Sequence, residues 1–284
     1  MVRGSCLCGD VAWEAEGPFE PMSHCHCSMC RKLHGSGFYT ALVAPAAGFR
    51  VVRGASGVAG FESSPGSFRS HCPRCGSMTW IVDRDRVYLS AGCLDDDPGV
   101  RPGSHIFVGS KAPWDEIHDA LPRHDTMPEE LGREVARPTP PPAPPGRVRG
   151  SCCCGAVAFE LALPLVEMRH CHCSRCRKAR GAAHATNVFA KESALRWLRG
   201  EELVRTFRVP DARFFANCFC GRCGSKLPRA DPSRGIAVVP AGSLDQDPGV
   251  RPGMHIFVGS KAPWHEIGDA LPRHEGASPS PPRP

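Results

Sequence analysis

The sequence predicts a mainly β protein made of two tandem, metal-stapled domains joined by a proline-rich linker. Three observations carry that reading. The chain repeats itself from end to end, its local signals are short β-rich runs rather than helical periodicity, and its cysteines fall in metal-ligand spacings.

The repeat comes first because it sets the domain count. Residues 3–124 align with 149–274 throughout. Arg3-Gly4-Ser5-Cys6-Leu7-Cys8-Gly9 matches Arg149-Gly150-Ser151-Cys152-Cys153-Cys154-Gly155, and Cys72-Pro73-Arg74-Cys75-Gly76-Ser77 matches Cys220-Gly221-Arg222-Cys223-Gly224-Ser225. Residues 97–124 match 247–274 at all but three positions, Ser104/Met254, Asp115/His265 and His118/Gly268. The offset grows from 146 to 148 to 150, so two short insertions entered the second copy. Insertions of that size sit in loops. A unit this long, present twice, is a domain rather than a solenoid repeat, and 284 residues suit about two domains. The expected boundaries are 1–124 for the first domain, 125–146 for the linker, 147–274 for the second domain and 275–284 for a disordered tail. The linker ends in Pro138-Thr139-Pro140-Pro141-Pro142-Ala143-Pro144-Pro145, which favours a semi-rigid polyproline spacer.

Within each unit the elements read as strands. Val11–Ala15 and Val157–Leu161 follow the first Cys-Gly turn, and Met78–Val82 follows the second. Arg86–Ser90, Ile236–Val239, His105–Val108 and its copy are short β-rich runs. The best helical candidate is Pro113–Ile117, with proline early and acids in its first turn. Small β domains bury little core, so metal is expected to carry part of the folding energy.

Seventeen cysteines in an odd count, at C-x-C and C-x-x-C spacings, point to metal in a reducing compartment rather than to disulfides. The first motif begins at Arg3, which leaves no room for a cleavable leader, and no run approaches the roughly 18 apolar residues of a membrane span. A cytoplasmic protein is expected.

Each unit offers C-x-C, then C-x-C-x-x-C, then C-x-x-C-G. Pairing the first and last groups gives a closed four-sulfur site, Cys6, Cys8, Cys72 and Cys75 in copy one and Cys152, Cys154, Cys220 and Cys223 in copy two. Gly9, Gly76, Gly155 and Gly224 directly follow a ligand, where glycine permits a tight turn with φ > 0. The remaining trios, Cys25, Cys27, Cys30 and Cys171, Cys173, Cys176, would hold a second zinc with one position open, as a working zinc requires. That gives two zincs per domain and four per chain. Rival sortings remain open. Cys27 and Cys30 could join Cys72 and Cys75 in a zinc ribbon, or His24 or His26 could close a trio. Cys93, Cys153 and Cys218 have no counterpart in the other copy and read as buried or incidental thiols.

Charge is uneven. Residues 1–146 carry 14 Lys/Arg against 17 Asp/Glu, and residues 147–284 carry 21 against 12. A basic half suits an anionic small molecule or nucleic acid. The arginines read as scattered and solvated, lysine is scarce, and the aromatics sit in strand patterns, so nucleic acid is not expected.

The matching marks are Gly4-Ser5-Cys6-x-Cys8-Gly9, His24-Cys25-His26-Cys27-Ser28-x-Cys30-Arg31-Lys32, Phe61-x-Ser63-Ser64-Pro65-Gly66 and Cys72-x-x-Cys75-Gly76-Ser77. After them come Ala91-Gly92-x-Leu94-Asp95-Asp96 and His105-Ile106-Phe107-Val108-x-Ser110-Lys111-Ala112-Pro113-Trp114. In these residues, over nearly all of both units, the chain resembles the glutathione-dependent formaldehyde-activating enzymes, a family that includes centromere protein V. The resemblance implies an Mss4-like β fold with two zincs per domain, sorted as above. It also implies a carbon–sulfur lyase type of activity that joins glutathione to formaldehyde. Copy two departs from the pattern with Arg208-Val209-Pro210 in place of Glu62-Ser63-Ser64, and Gln246 in place of Asp96.

The chemistry expected of the trios is activation of a small thiol that attacks a small electrophile. A trio of thiolates with one Zn²⁺ carries a net negative charge, so cations should help hold an anionic thiol. Arg31, Lys32, Arg177 and Lys178 are the nearest in sequence. His105 and His255 could move protons, although a histidine opening a strand is more often structural. Trp114 and Trp264 are expected to be core packing rather than a substrate wall. The alternative function is a non-catalytic zinc module that binds protein or nucleic acid. The sequence sets no oligomeric state.

Overall fold

The computed structural model describes residues 1–127 and 141–279. In the first copy β1 (Val2–Ser5), β2 (Ala12–Ala15) and β5 (Phe49–Arg53) form a three-stranded antiparallel sheet. A seven-stranded sheet follows the order β10 (Pro102–Ile106), β3 (Glu20–Cys25), β4 (Tyr39–Pro45), β9 (Arg86–Ser90), β8 (Met78–Asp83), β7 (Ser67–His71) and β6 (Ala59–Ser64). Its neighbours are antiparallel except β10 beside β3.

The second copy repeats the small sheet with β11 (Arg147–Ser151), β12 (Ala158–Ala162) and β15 (Leu195–Arg199). Its large sheet is shorter, in the order β18 (Arg229–Asp231), β19 (Ile236–Pro240), β14 (Ala185–Lys191), β13 (Glu167–Cys171), β20 (Pro252–Ile256) and β21 (Arg273–His274). The hairpin of β16 (Val204–Arg208) and β17 (Ala216–Cys220) stands apart from it. The sequence explains the break. Trp80, in the middle of β8, is replaced by Pro228, which has no N–H to donate to a ladder. The β7–β8 ladder of copy one is reduced here to one bridge, Phe219 to Lys226.

Two α-helices occur among the described residues, α1 (Ser28–His34) and α2 (Ser174–Arg180). Both lie inside the trio motif and not at Pro113–Ile117, where a helix was expected. The Cys27 and Cys173 sulfurs cap their N-termini, accepting the Cys30 and Cys176 N–H groups at 3.4 Å. Gly35 and Gly181 end them in the left-handed region. Seven residues make about two turns, too few for periodicity to reveal. At Pro113 and Trp114 the chain instead makes a turn, because Trp114 is drawn into the core with 1% exposure.

The two copies do not hang as beads on a spacer. The apolar core is continuous across their boundary, and reciprocally so. Trp264, Ala262 and Ala183 join the cluster built on the first copy's sheets, while Trp114 and Ala112 join that of the second. Gly92 meets α2 so closely that an added Cβ would lie 2.2 Å from the Ala182 nitrogen, and Gly242 meets the end of α1 in the same way, 2.3 Å from the Arg31 oxygen. Lys32 binds Ser151 Oγ at 2.5 Å and Asp245, and Lys178 binds Ser5 Oγ at 2.5 Å and Asp95.

The described segments that flank the copies are hydrogen-bonded to them. Gly109 and Phe107 donate to the carbonyls of Asp125 and Thr126, and Phe257 donates to that of Gly276 at 2.8 Å. The carbonyls of Pro141 and Pro142 accept from Gln246 and Arg149. Residues 128–140, with the first prolines of the expected spacer, and 280–284 lie outside the described residues. No helix among the described residues is long and apolar enough to cross a membrane.

Candidate metal centres and thiol site

The fold gathers fourteen cysteines into four groups. Cys6, Cys8, Cys72 and Cys75 come together, as do Cys152, Cys154, Cys220 and Cys223, with all sulfurs of a group within 4.8 Å of one another. Neighbouring sulfurs are 3.4 and 3.7 Å apart in the first group and 3.4 and 3.9 Å in the second. A disulfide needs about 2.05 Å. A tetrahedron with metal–sulfur bonds near 2.3 Å has edges of about 3.8 Å, so the donor set fits a four-thiolate zinc. Gly76 and Gly224 turn at φ 73° and 74° directly after a ligand. Supporting donors are in place as well. Val11 and Val157 N–H groups reach Cys6 and Cys152 at 3.3 and 3.2 Å, and Ser77 and Ser225 hydroxyls sit 3.3 and 3.2 Å from Cys75 and Cys223. Each group ties a chain start to a residue more than 60 positions on.

The other two groups are the trios, Cys25, Cys27, Cys30 and Cys171, Cys173, Cys176. The end of a strand, the helix cap and the first helical turn supply one sulfur each. Among the described residues no fourth Cys, His, Asp or Glu joins either trio. The rival sortings are not the ones the fold makes. Cys72 and Cys75 belong to the four-sulfur group. The flanking histidines turn elsewhere: His24 Nδ1 bonds Thr40 Oγ1 at 2.8 Å and His26 Nε2 bonds His105 Nδ1 at 2.8 Å, with His170 to Thr186 and His172 to His255 as their copies. Within each trio the capping sulfur is the acidic one. Hydrogen bonding from Cys25 holds the Cys27 thiol well below its usual range, and hydrogen bonding from Cys171 pushes Cys173 down to about 3. Three sulfurs at such spacing fit zinc with one position left for another donor.

The cation that reaches the first trio is one that sequence proximity missed. Arg69 of β7 is buried, bonds Ser63 Oγ at 2.8 Å and places Nη1 3.7 Å from Cys30 Sγ. Burial opposes its charge, yet the sulfurs of Cys30, Cys27 and Cys25 more than offset that and raise its pKa. The pairing of Phe61 with Arg69 across the β6–β7 hairpin was the available signal. In copy two Asn217 stands in its place, and Arg180 of α2 stands where copy one has His34. Arg180 is buried, donates to Asn187 Oδ1 at 3.0 Å, and leaves Nη1 without a hydrogen-bond partner. Burial lowers its pKa to about 10, partly countered by Cys176. Each trio thus has one buried arginine nearby, taken from a different element.

The four cations nearest in sequence are placed otherwise. Arg31 spans the His26 and Ser110 carbonyls at 3.3 Å, and Arg177 bonds the Ser260 carbonyl at 3.2 Å. Lys32 and Lys178 are the struts between copies described above. The walls differ too. Tyr39, Ala41 and Ile106 pack with the first trio, flanked by Ile81, Tyr88 and Met127. Ala185 packs with the second, flanked by Phe215, Ile256 and Phe257.

His105 and His255 belong to relays. His105 joins His26 to Asp119 at 3.0 Å, and His255 joins His172 to Asp269 at 2.9 Å. His26, His105 and Asp119 of the first relay and His255 and Asp269 of the second, with His184 and His265, line a cavity of about 420 Å³ between the copies. Burial lowers the pKa values of His105 and His255, against the pull of their aspartates, and sets His184 at about 4. The unmatched thiols join none of the four groups. Cys93 and Cys218 are buried, with Cys93 donating to the Met78 carbonyl at 3.3 Å and Cys218 beside Thr206 at 3.2 Å, and Cys153 is half-buried against the second core.

Residues 1–110 and 147–260 match the family profile described as glutathione-dependent formaldehyde-activating enzyme. A Halomonas elongata protein, provisionally named a glutathione-dependent formaldehyde-activating enzyme, is 33% identical over 128 residues, covering 41% of this chain and 81% of that one. A crystal structure of a Rhodobacter sphaeroides protein is 28% identical with a TM-score of 0.30, covering 34% of this chain and 91% of that one.

Proposed function

The chain belongs to the family of glutathione-dependent formaldehyde-activating enzymes, and from that premise we propose that it adds a thiol, such as glutathione, to formaldehyde or a related small electrophile. The observation that carries the proposal is the contrast within each copy. One sulfur group is complete for zinc and the other has three donors, with both neighbouring histidines committed elsewhere. Zinc held by Cys25, Cys27 and Cys30, or by Cys171, Cys173 and Cys176, would supply a position at which an incoming thiol ionises near neutral pH.

The chain's own residues do the rest. Arg69 and Arg180 oppose the negative charge that an extra thiolate brings to a trio of sulfurs. Tyr39, Ile106 and Met127 keep water from the first trio, and Phe215, Ile256 and Phe257 from the second. In the reaction the thiolate sulfur forms a bond to the aldehyde carbon, the carbon–oxygen π bond breaks, and the oxygen takes up a proton equivalent to the one the thiol lost. The product is a hydroxymethyl thioether, and the reverse step is a carbon–sulfur lyase reaction. The four-thiolate groups serve the fold.

Exchange NMR of glutathione with formaldehyde tests this with the whole chain, with Cys25→Ser, with Cys171→Ser and with both. Exchange faster than in buffer, reduced by each substitution and abolished by the pair, is expected. Exchange no faster than in buffer would leave a zinc-binding module without this activity.

A further inference from the structure

The arginines of the second half, which look scattered in sequence, are not scattered in space. Arg208, Arg213, Arg229 and Arg234 line one open cavity of about 650 Å³ with Asp231 as its lining carboxylate. Phe214 stands in that cavity half-exposed, with the Arg213 and Arg234 guanidinium carbons 4.8 and 4.7 Å from its ring centre. Arg229 is fixed by the Phe214 carbonyl at 3.0 Å and by Asp231 at 3.2 Å. Arg208 and Arg213 make no ion pair or hydrogen bond through their guanidinium groups among the described residues. Four positive charges against one negative, two of them held by an aromatic ring, make a depression suited to carboxylate or phosphate oxygens.

Its location gives it a purpose. Phe214 lines the cavity and the adjacent Phe215 packs against the second trio. Arg229 occupies the position of Ile81, which flanks the first trio. Copy one lacks most of this set. Arg208 is Glu62 there, Arg213 is Pro65 and Arg229 is Ile81, whereas Arg234 corresponds to Arg84.

We propose that this cavity is an anion subsite that grips the carboxylates of a thiol substrate at the second trio, so the two copies take thiols of different charge. The proposal rests on the thiol-addition reading for its purpose, but its test uses a ligand that cannot react. The full chain is titrated by calorimetry with S-methylglutathione, whose sulfur cannot ionise, with its diethyl ester, which has no free carboxylate, and with inorganic phosphate. The wild type should bind the dicarboxylate at one site per chain, more weakly as salt rises. Arg208→Glu with Arg213→Gln changes exposed side chains, so zinc content should be kept while binding falls at least tenfold. The ester should bind weakly and equally to both proteins. Equal binding of the dicarboxylate to wild type and variant, no binding to either, or binding of phosphate alone would overturn the assignment. Exchange no faster than in buffer would sink the thiol-addition reading and leave this result untouched. A titration unchanged by the substitutions would do the reverse.

Discussion

The two copies agree in the cysteine groups that could hold metal and disagree around them. All seven cysteine positions of each copy recur in the other with the same spacing within each motif, the same glycine turns and the same sulfur-capped helix. The surroundings have exchanged parts: Arg69 against Asn217, His34 against Arg180, Phe38 against His184, Asp115 against His265, and an aliphatic Ile81 against Arg229. A metal tetrahedron tolerates little change in donor position, whereas a pocket wall can be rebuilt one side chain at a time. The paired arginine exchanges show which property is held, a buried positive charge beside three sulfurs, and that its source is free to move.

The comparison between staple and trio should give the largest effects. Cys72→Ser or Cys220→Ser removes a sulfur from a group at which a structural zinc would contribute on the order of 10 kcal/mol, comparable to the whole stability of a typical domain. Loss of the cooperative melt is expected, and because the core is shared, both copies should melt together. Cys25→Ser and Cys171→Ser should each cost one zinc of four and shift Tm by a few degrees at most. Equal unfolding by both kinds of substitution in zinc analysis and calorimetry would break the comparison.

Next come the struts between copies. The Lys32–Asp245 pair is 13% and 5% exposed, and the Lys178–Asp95 pair 21% and 35%. Lys32→Met strands a buried carboxylate and should cost about 3 kcal/mol, whereas Lys178→Met should cost about 1 kcal/mol. Denaturant unfolding of the two variants checks the order.

The arginine exchange predicts a rescue. With the second trio silenced by Cys171→Ser, Arg69→Asn should lower kcat/KM at the first trio by roughly 10- to 100-fold, the loss of one contact to a charged group. Adding His34→Arg, the residue of copy two, should restore part of it. No loss on Arg69→Asn would mean that this arginine is packing alone.

The smallest effect is in acid. Burial sets His184 at about 4 against an ordinary 6.5, with His170, His172, His265 and Phe38 around it. A base with a depressed pKa packs in its neutral form. Its contribution is whole above pH 6.5 and is lost as pH falls from 6.5 towards 4. His184→Phe, which installs the first copy's residue, should flatten the decline in stability by about 1 kcal/mol at pH 5.5. Melts of the two proteins across that range measure it.

Much of this was legible before any coordinates. Strands follow alternation between Gly and Pro punctuation, and Arg86–Ser90 forms as read. Cysteine spacing names the ligands because a tetrahedral site demands it locally. What spacing does not encode is contact between distant segments. Ala91-Gly92-x-Leu94-Asp95 reads as a motif without a role, yet Gly92 admits α2 and Asp95 holds Lys178, so it is interface. Arg69 lies 39 residues from Cys30 and meets it only through hairpin register. The helix expected at Pro113 lost to burial of Trp114, a tertiary demand that local propensity does not register.

Cadmium substitution offers the most direct test. Protein loaded with ¹¹³Cd should give four metal resonances, two from complete sulfur groups and two from trios. On adding glutathione the two trio resonances should move towards the position of the complete groups, and the other two should stay. Four resonances that all ignore the thiol, or two resonances in all, would contradict the account.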